Sequence, residues 1–359
     1  MDKIARIGMD TSKQFFQLHG VNEAEQPILR KQVRRKGLLA YFAGLEPTDV
    51  ALEACGASHH WARELALLGH RVKLIAPQLV KPYVKRGKND AADAEALCEA
   101  MSRPTMRFVP VKTTEQQAAL MLAGERERLV RQRTQLANTI RGYAAEFGLT
   151  AAKGQSHIEP LLEELRASDA VPALARELFA GHAEEYGALQ QRIDAVDARL
   201  MAWHKASEMA RQLTRIPGIG PVIASLLVMK TPEPKAFASG RHFAAWMGLT
   251  PKDHSTAGKV RLGGITRAGD ETLRSLLVVG ATAVIWQTRR GKVKQPMPWL
   301  VKLLARKEPK LAAVALANKI ARTAWAIMVT GEVYDPKRVC AGRSQADRQT
   351  AAAAVTAAA

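Results

Sequence analysis

Cysteine is scarce: three residues in 359, at Cys55, Cys98 and Cys340. They make no paired spacing and no zinc-ligand motif. That excludes a disulfide-stapled scaffold or a zinc module and points to a reducing cytosol. Acidic residues are also short, 34 Asp plus Glu against 53 Lys plus Arg. No run approaches the roughly 18 uninterrupted apolar residues of a membrane helix. Met1-Asp2-Lys3-Ile4 opens without the apolar stretch of a signal peptide. Also missing is a convincing set of glycine-rich phosphate loops with acidic residues. This counts against an actin-like ATPase, although Gly8-Met9-Asp10-Thr11-Ser12 would suit its first strand.

What is present is positive charge, a net +19 with a pI near 10.1. Such an excess is the electrostatic footprint of a polyanion binder, with a merely soluble cationic surface as the plain alternative. The excess is uneven. Residues 252–348 hold 19 Lys and Arg against 7 Asp and Glu, a local +12. The length allows two domains and a connector.

Against that background four acidic residues stand in distinctive settings. Asp10 ends the apolar run Ile7-Gly8-Met9, and Glu53 ends Val50-Ala51-Leu52. Asp90 and Asp93 open a helical pattern in Asn89-Asp90-Ala91-Ala92-Asp93-Ala94, where a spacing of three puts both on one helix face. Carboxylates on adjacent strand ends facing a helical pair suit hard divalent cations. Two such ions can clamp the attacking and leaving oxygens in phosphoryl transfer.

Strand patterns at 4–9, 14–19, 27–32, 50–53 and 71–75 alternate in their later part with helical patterns at 36–44, 58–68 and 90–101, and 107–109 is a short extended run. This predicts an α/β domain over 1–112, a mixed sheet flanked by helices with the layout of a ribonuclease-H-like fold. Apolar residues recur at helical spacing over 114–148 (Leu120, Leu122, Leu129, Leu136, Ile140, Tyr143) and 182–213 (Leu189, Ile193, Val196, Leu200, Trp203). We expect a helical coiled-coil connector at 113–213, with short helices at 159–166 and 172–180 between its arms. It packs as an ordinary pair, dimerises protomers or spans nucleic acid. Residues 214–335 read as a mostly helical carboxy-terminal domain, and 336–359 as a basic, then Ala-rich, disordered tail.

Ile216-Pro217-Gly218-Ile219-Gly220-Pro221 before an apolar helix has the form of a helix-hairpin-helix element. Gly218 and Gly220 would let backbone amides approach phosphate, and a plain turn is the alternative. Phe243, Trp246 and Met247 share a helix face and read as core, with Gly248 as the helix stop. Lys252-Asp253-His254-Ser255-Thr256-Ala257-Gly258-Lys259-Val260-Arg261 places two hydroxyls in a Gly-containing loop among three cations. A hydroxyl there can attack a phosphodiester if its proton is removed, by His254 or a metal-bound carboxylate. Thr266 or Asp270 would cap the helix that follows Arg267. Arg289, Arg290 and Lys292 form a basic loop, with a solvated linker as the alternative.

In this order the blocks Gly8–Lys13, Leu52–Gly56, Asn89–Ala94, Ile216–Gly220, Phe243–Pro251, His254–Gly258 and Arg261–Asp270 resemble the DEDD transposases of bacterial insertion sequences. These form the one-hundred-and-ten family, related to the Piv DNA invertases. The His-Ser-Thr-x-Gly block points to its eleven-eleven subgroup, and the resemblance spans about 4–335. It implies a RuvC-like amino-terminal domain in which Asp10, Glu53, Asp90 and Asp93 are catalytic and bind Mg²⁺, with Mn²⁺ as a substitute. It implies a serine nucleophile that links covalently to DNA, Ser255 by preference because a primary hydroxyl is less hindered. Counting from Gly248-Leu249-Thr250-Pro251, that position falls on Thr256 instead. Lys252, Lys259, Arg261, Arg267, Arg289, Arg290 and Lys292 would contact nucleic acid. The resemblance further implies DNA at element ends and target, a structured non-coding guide RNA, a dimer or tetramer of this chain, no membrane, and a cytoplasmic, nucleoid-associated place in a bacterium.

Three other activities remain compatible with the residues alone. A hydrolytic RuvC-like nuclease or junction resolvase would use water and leave no adduct. A non-catalytic nucleic-acid binder would not need Asp10. An actin-like ATPase would need the phosphate loops noted above.

Overall fold

The computed structural model describes residues 3–85, 89–293 and 296–336. The expected disordered tail at 336–359 therefore lies, but for Pro336, outside the described residues. The chain divides into two compact units, Met1–Gln117 and Ala118–Ala359.

In the first unit β1 (Arg6–Thr11), β2 (Phe15–Val21), β3 (Pro27–Arg34), β4 (Asp49–Glu53), β5 (Arg71–Ile75) and β6 (Phe108–Val109) form one sheet in the order β3-β2-β1-β4-β5-β6. β1–β2 and β2–β3 pair antiparallel, β1–β4 and β4–β5 parallel, and β5–β6 antiparallel. The helices are α1 (Leu38–Ala43), α2 (Ser58–Leu67), α3 (Pro77–Val80) and α4 (Asp90–Met101). This is the mixed α/β layout the strand pattern predicts.

Alternation decides what each strand offers. Ile7 and Met9 of β1, and Val50 and Leu52 of β4, enter a core with Phe42 of α1 and Trp61 and Leu65 of α2. Ala51 instead joins Leu97 and Ala100 of α4 in a second cluster. Residues two apart share a strand face, so Gly8 and Asp10, like Ala51 and Glu53, belong to the α4 side. A Cβ on Gly8 would lie 2.0 Å from the Ala94 carbonyl oxygen and 2.5 Å from the Cys98 nitrogen. Glycine is thus what lets α4 sit directly on β1. Arg6 locks the contact by donating from Nε to the Cys98 carbonyl at 3.0 Å.

The second unit begins along α5 (Thr114–Ala145), followed by α6 (Ile158–Ala167), α7 (Ala173–Ala206) and α8 (Glu208–Leu213). α5 and α7 run antiparallel: Arg126 pairs with Asp197 at 2.6 Å, and Arg133 donates to Gln190. Leu129, Leu136 and Ile140 pack with Tyr186, Leu189, Ile193 and Val196 between them. Tyr143, expected on this apolar face, is exposed beside His182, and Ala144 takes the buried place. The separate helix expected at 172–180 is the first part of α7. Pro172 starts that helix and no proline interrupts it. Gly181 and Gly187 face open space, where each costs only about 1 kcal/mol relative to Ala.

Beyond it lie α9 (Pro221–Lys230), α10 (Gly240–Trp246), the hairpin of β7 (Pro251–Asp253) and β8 (Leu262–Ile265), α11 (Glu271–Arg289), α12 (Pro298–Leu304) and α13 (Pro309–Thr330). Phe243 and Met247 are fully buried, as the helix-face pattern predicts, and Trp246 packs beside them. By length and composition α13 is apolar enough to cross a membrane, but half of that stretch is buried inside the fold. Leu316, Ile320 and Ala324 place it in the core with Leu273, Leu277 and Ala281 of α11.

Candidate active site

The candidate residues fall in two places, one in each unit. In the first unit, parallel pairing sets Met9 of β1 beside Leu52 of β4. The next residues, Asp10 and Glu53, therefore leave the same end of the sheet together. Asn89 caps α4 by accepting the Ala91 N–H at 3.0 Å, which places Asp90 and Asp93 in the first helical turn. There the helix dipole favours negative charge. Asp10 and Glu53 both respond to the carboxylates of α4. Burial first, then Asp90 and Asp93, push the Asp10 carboxyl up to about 6, with Glu53 adding a smaller push. Glu53 is raised by burial and then by Asp93.

Among the described residues, no cation offsets the charge of this half-buried carboxylate. An all-oxygen, strongly anionic donor set suits a hard divalent cation in type and charge. As they stand, no three Asp, Glu, His or Cys side chains among the described residues gather tightly enough to hold one ion. Beside the carboxylates is a cleft of ≈ 520 Å³ lined by Glu53, Asp93, Lys81, Lys85, Val80 and Leu97, among others. Lys81 is a cation at this cleft that no sequence motif singles out. Lys85 pairs with Glu95 of α4.

In the second unit the β7–β8 hairpin carries the hydroxyls. Asp253 pairs with Leu262, His254 donates its N–H to the Arg261 carbonyl at 2.9 Å, and Thr256 bridges to Lys259. Ala257 (φ 48) and Gly258 (φ 77) close it, the two consecutive positive angles of a tight hairpin turn. Ala257 is strained there; Gly258 is not. Ser255 thus stands one residue before the turn. Its Oγ accepts the Arg261 N–H at 3.0 Å, and its own N–H donates to Asp253 Oδ1 at 2.8 Å. The Ser255 hydroxyl and N–H together hold the Asp253 carboxyl below its usual range. The His254 ring lies over Gly263 of β8.

The remaining nucleic-acid candidates lie around this hairpin and at the end of α11. Lys252, Lys259, Arg261 and Arg267 are all exposed, as are Arg289, Arg290 and Lys292. Arg290 stacks 3.5 Å above the exposed Trp286 ring. Gly220 is exposed and precedes Pro221 at the first position of α9. Gly218 is spent inside the protein: a Cβ there would meet Gly280 of α11 at 3.2 Å and Ile320 at 3.0 Å. Asp270, rather than Thr266, caps α11, accepting the Leu273 N–H at 2.8 Å while pairing with Lys230 at 2.7 Å.

The comparisons with known proteins cover both places. Residues 7–147 match the family model DEDD_Tnp_IS110, described as a transposase, and contain all four carboxylates. Residues 210–295 match the Transposase IS116/IS110/IS902 family and contain the Ser255 hairpin. The transposase for insertion sequence element IS1111A of Coxiella burnetii is 38% identical over 340 residues, covering 93% of this chain and 92% of the relative. The chain belongs to the IS110 family of DEDD transposases. A transposase-named protein of Sinorhizobium fredii is 65% identical over 334 residues, 93% of this chain and 86% of its own length. The transposase for IS1328 of Yersinia enterocolitica is 39% identical over 334 residues, 93% of this chain and 99% of its own. An IS110-family transposase acts on DNA, and the DEDD family suggests use of a divalent metal.

Proposed function

We propose that this transposase cuts and rejoins DNA by transferring a strand to Ser255, and that Asp10, Glu53, Asp90 and Asp93 hold divalent ions, Mg²⁺ or Mn²⁺, for that step. The observation that carries this reading is the electrostatic frustration of Asp10. Its carboxyl is pushed to about 6 by burial and by Asp90 and Asp93. Such an arrangement costs free energy in the folded protein unless a cation offsets it. When bound, divalent ions would supply charge stabilisation to the phosphoryl oxygens. The chain's own residues do the rest. α4 presents Asp90 and Asp93 to the sheet end, Lys81 meets phosphate at the cleft, and the hairpin presents a hydroxyl among Lys252, Lys259 and Arg261.

Ser255 is preferred to Thr256 because its hydroxyl accepts the Arg261 N–H while Asp253 accepts its backbone N–H. Exposed Gly220 at the start of α9 is read as the phosphate-facing glycine of a helix-hairpin-helix element, while Gly218 serves packing. The α5–α7 pair is read as a coiled-coil arm through which copies of the chain form a dimer or tetramer. A net charge of +19 suits a protein that holds both DNA and a structured guide RNA, with base pairing choosing the sequence.

The decisive experiment is covalent trapping. Purified protein, Mg²⁺, labelled DNA spanning this gene's own element ends and RNA transcribed from its flanks are combined and resolved under denaturing conditions. An adduct lost in Ser255→Ala and kept in Thr256→Ala identifies the nucleophile. The reverse pattern moves the role to Thr256. Cut DNA with no adduct means that water attacks and the protein is a hydrolytic nuclease.

A further inference from the structure

We propose that Asp253 is the proton acceptor for Ser255, a catalytic role that no sequence motif marked; the inference rests on Ser255 being the nucleophile. Three observations meet at this hydroxyl. Asp253 ends β7, and Ser255 follows two residues on, just before the turn at Ala257 and Gly258. The Asp253 Oδ1 accepts the Ser255 N–H at 2.8 Å, which fixes the carboxylate next to the residue it would serve. The Arg261 N–H donates to Ser255 Oγ at 3.0 Å from across the hairpin. With one lone pair engaged by that N–H, the hydroxyl proton is directed to the acceptor on the other side, and the carboxylate is that acceptor.

His254, the neighbouring base, is placed elsewhere: its ring lies against Gly263 of β8. The Thr256 backbone is held in the Thr256–Lys259 bridge that closes the turn. Asp253 is thus the ionisable group that hydrogen bonding ties to Ser255.

Ser255 Oγ forms a bond to phosphorus while its proton passes to the Asp253 carboxylate. The bond from phosphorus to the leaving deoxyribose oxygen breaks, and that oxygen takes a proton from solvent. The negative charge of an arriving phosphodiester disfavours the ionised carboxylate and so raises its basicity as the substrate docks. Lys252, Lys259 and Arg261 on the same hairpin, the charged groups nearest this strand pair in sequence, moderate that rise and bind the phosphate.

The same hydrogen bond would also exist if Asp253 only built the turn, because an Asp side chain accepting the N–H two residues on is a common local motif. Asparagine builds that turn equally well and cannot take the proton. Asp253→Asn therefore separates the two roles. Single-turnover adduct formation is measured from pH 5 to 9 on the labelled element-end DNA with Mg²⁺ and flanking RNA. DNA affinity is measured in parallel, for wild type, Asp253→Asn, Asp253→Glu and Ser255→Ala. Loss of a general base is expected to slow adduct formation about 10²–10⁴-fold. In Asp253→Asn the rate should fall by that factor at every pH across the range while DNA affinity stays unchanged, and Asp253→Glu should recover part of the rate. A rate within threefold of wild type, or a fall in rate matched by a fall in DNA affinity, overturns the assignment while leaving Ser255 in place. An adduct that survives in Ser255→Ala overturns the nucleophile itself, and the role of Asp253 with it.

Discussion

Gly8→Ala is the smallest change that should disable the carboxylate end of the sheet. The added methyl would start 2.0 Å from the Ala94 carbonyl oxygen and 2.5 Å from the Cys98 nitrogen, whereas real Cβ contacts are essentially never under 3.0 Å. Both obstacles are helix backbone, so no side-chain rotamer relieves them. α4 must move off β1 by about 1 Å or more. Overpacking of this kind costs about 1–3 kcal/mol, and the rigid obstacle puts this site at the upper end. The same displacement carries Asp90 and Asp93 away from Asp10, because they ride on that helix. A shift of about 1 Å in catalytic groups can cost about 10²-fold in rate. Urea unfolding gives the stability. Mn²⁺ titration of the DNA-free protein and single-turnover cleavage give the site. Gly37→Ala is the control, since nothing lies within 4 Å of a Cβ there. Gly8→Ala with wild-type stability and wild-type cleavage would refute the claim that this contact positions the carboxylates.

The His59 ring accepts the Lys112 N–H at 3.1 Å, and burial, then Lys112 and Arg63, lower its pKa to about 4. Because the folded pKa lies below the unfolded value of 6.5, stability is full above pH 6.5 and falls as pH drops toward about 4. After discounting for partial exposure the loss is about 1–2 kcal/mol, and His59→Asn should remove that part of the pH dependence in urea titrations. Gly280→Ala would place a Cβ 2.0 Å from the Gly218 carbonyl oxygen, so the second unit should lose about 2–3 kcal/mol on denaturation. An unchanged unfolding midpoint would mean that α9 and α11 separate freely. Reversing Arg289 and Arg290 to Glu should weaken DNA binding and lower the log–log salt slope by about 1.8, since each phosphate that a cation neutralises adds about 0.9. An unchanged slope would show that the end of α11 does not touch phosphate. Asp10→Asn should abolish cleavage while sparing nucleic-acid binding, read by gel shift beside a cleavage assay.

The fold of the first unit was legible because its signals are local. Apolar runs ended by an acid marked β1 and β4, and α4 begins at the expected Asp90 and ends at the expected Met101. Where the pattern misled, the deciding interaction was tertiary. Tyr143 follows the helical period of α5 but stands on its outer face, because Ala144 fills the narrow space between α5 and α7. The helix expected at 172–180 merges into α7 because its glycines face solvent, where they weaken the helix without breaking it. Gly218 shows the same limit. Its place in a Pro-Gly-x-Gly turn suggests phosphate, yet its missing side chain makes room for Gly280, some sixty residues on.

The two candidate places were unequally legible for a physical reason. A carboxylate at the end of an apolar strand is conspicuous, since charge there needs an explanation, and strand alternation alone puts Asp10 and Glu53 on the α4 side. The hairpin offers no such contrast: every residue from Pro251 to Gly264 is exposed and polar or small side chains dominate. Read as a loop, Asp253-His254-Ser255-Thr256 presents two hydroxyls and two bases with nothing to choose between them. Read as the end of a strand entering a two-residue turn, it sorts by partner: Asp253 holds the Ser255 N–H, Arg261 donates to the Ser255 hydroxyl, and the His254 ring lies against Gly263. The choice of base then depends on the choice of nucleophile. A result that moved the adduct to Thr256 would therefore also remove Asp253 as the base, whereas an adduct kept on Ser255 leaves the base to be decided by Asp253→Asn.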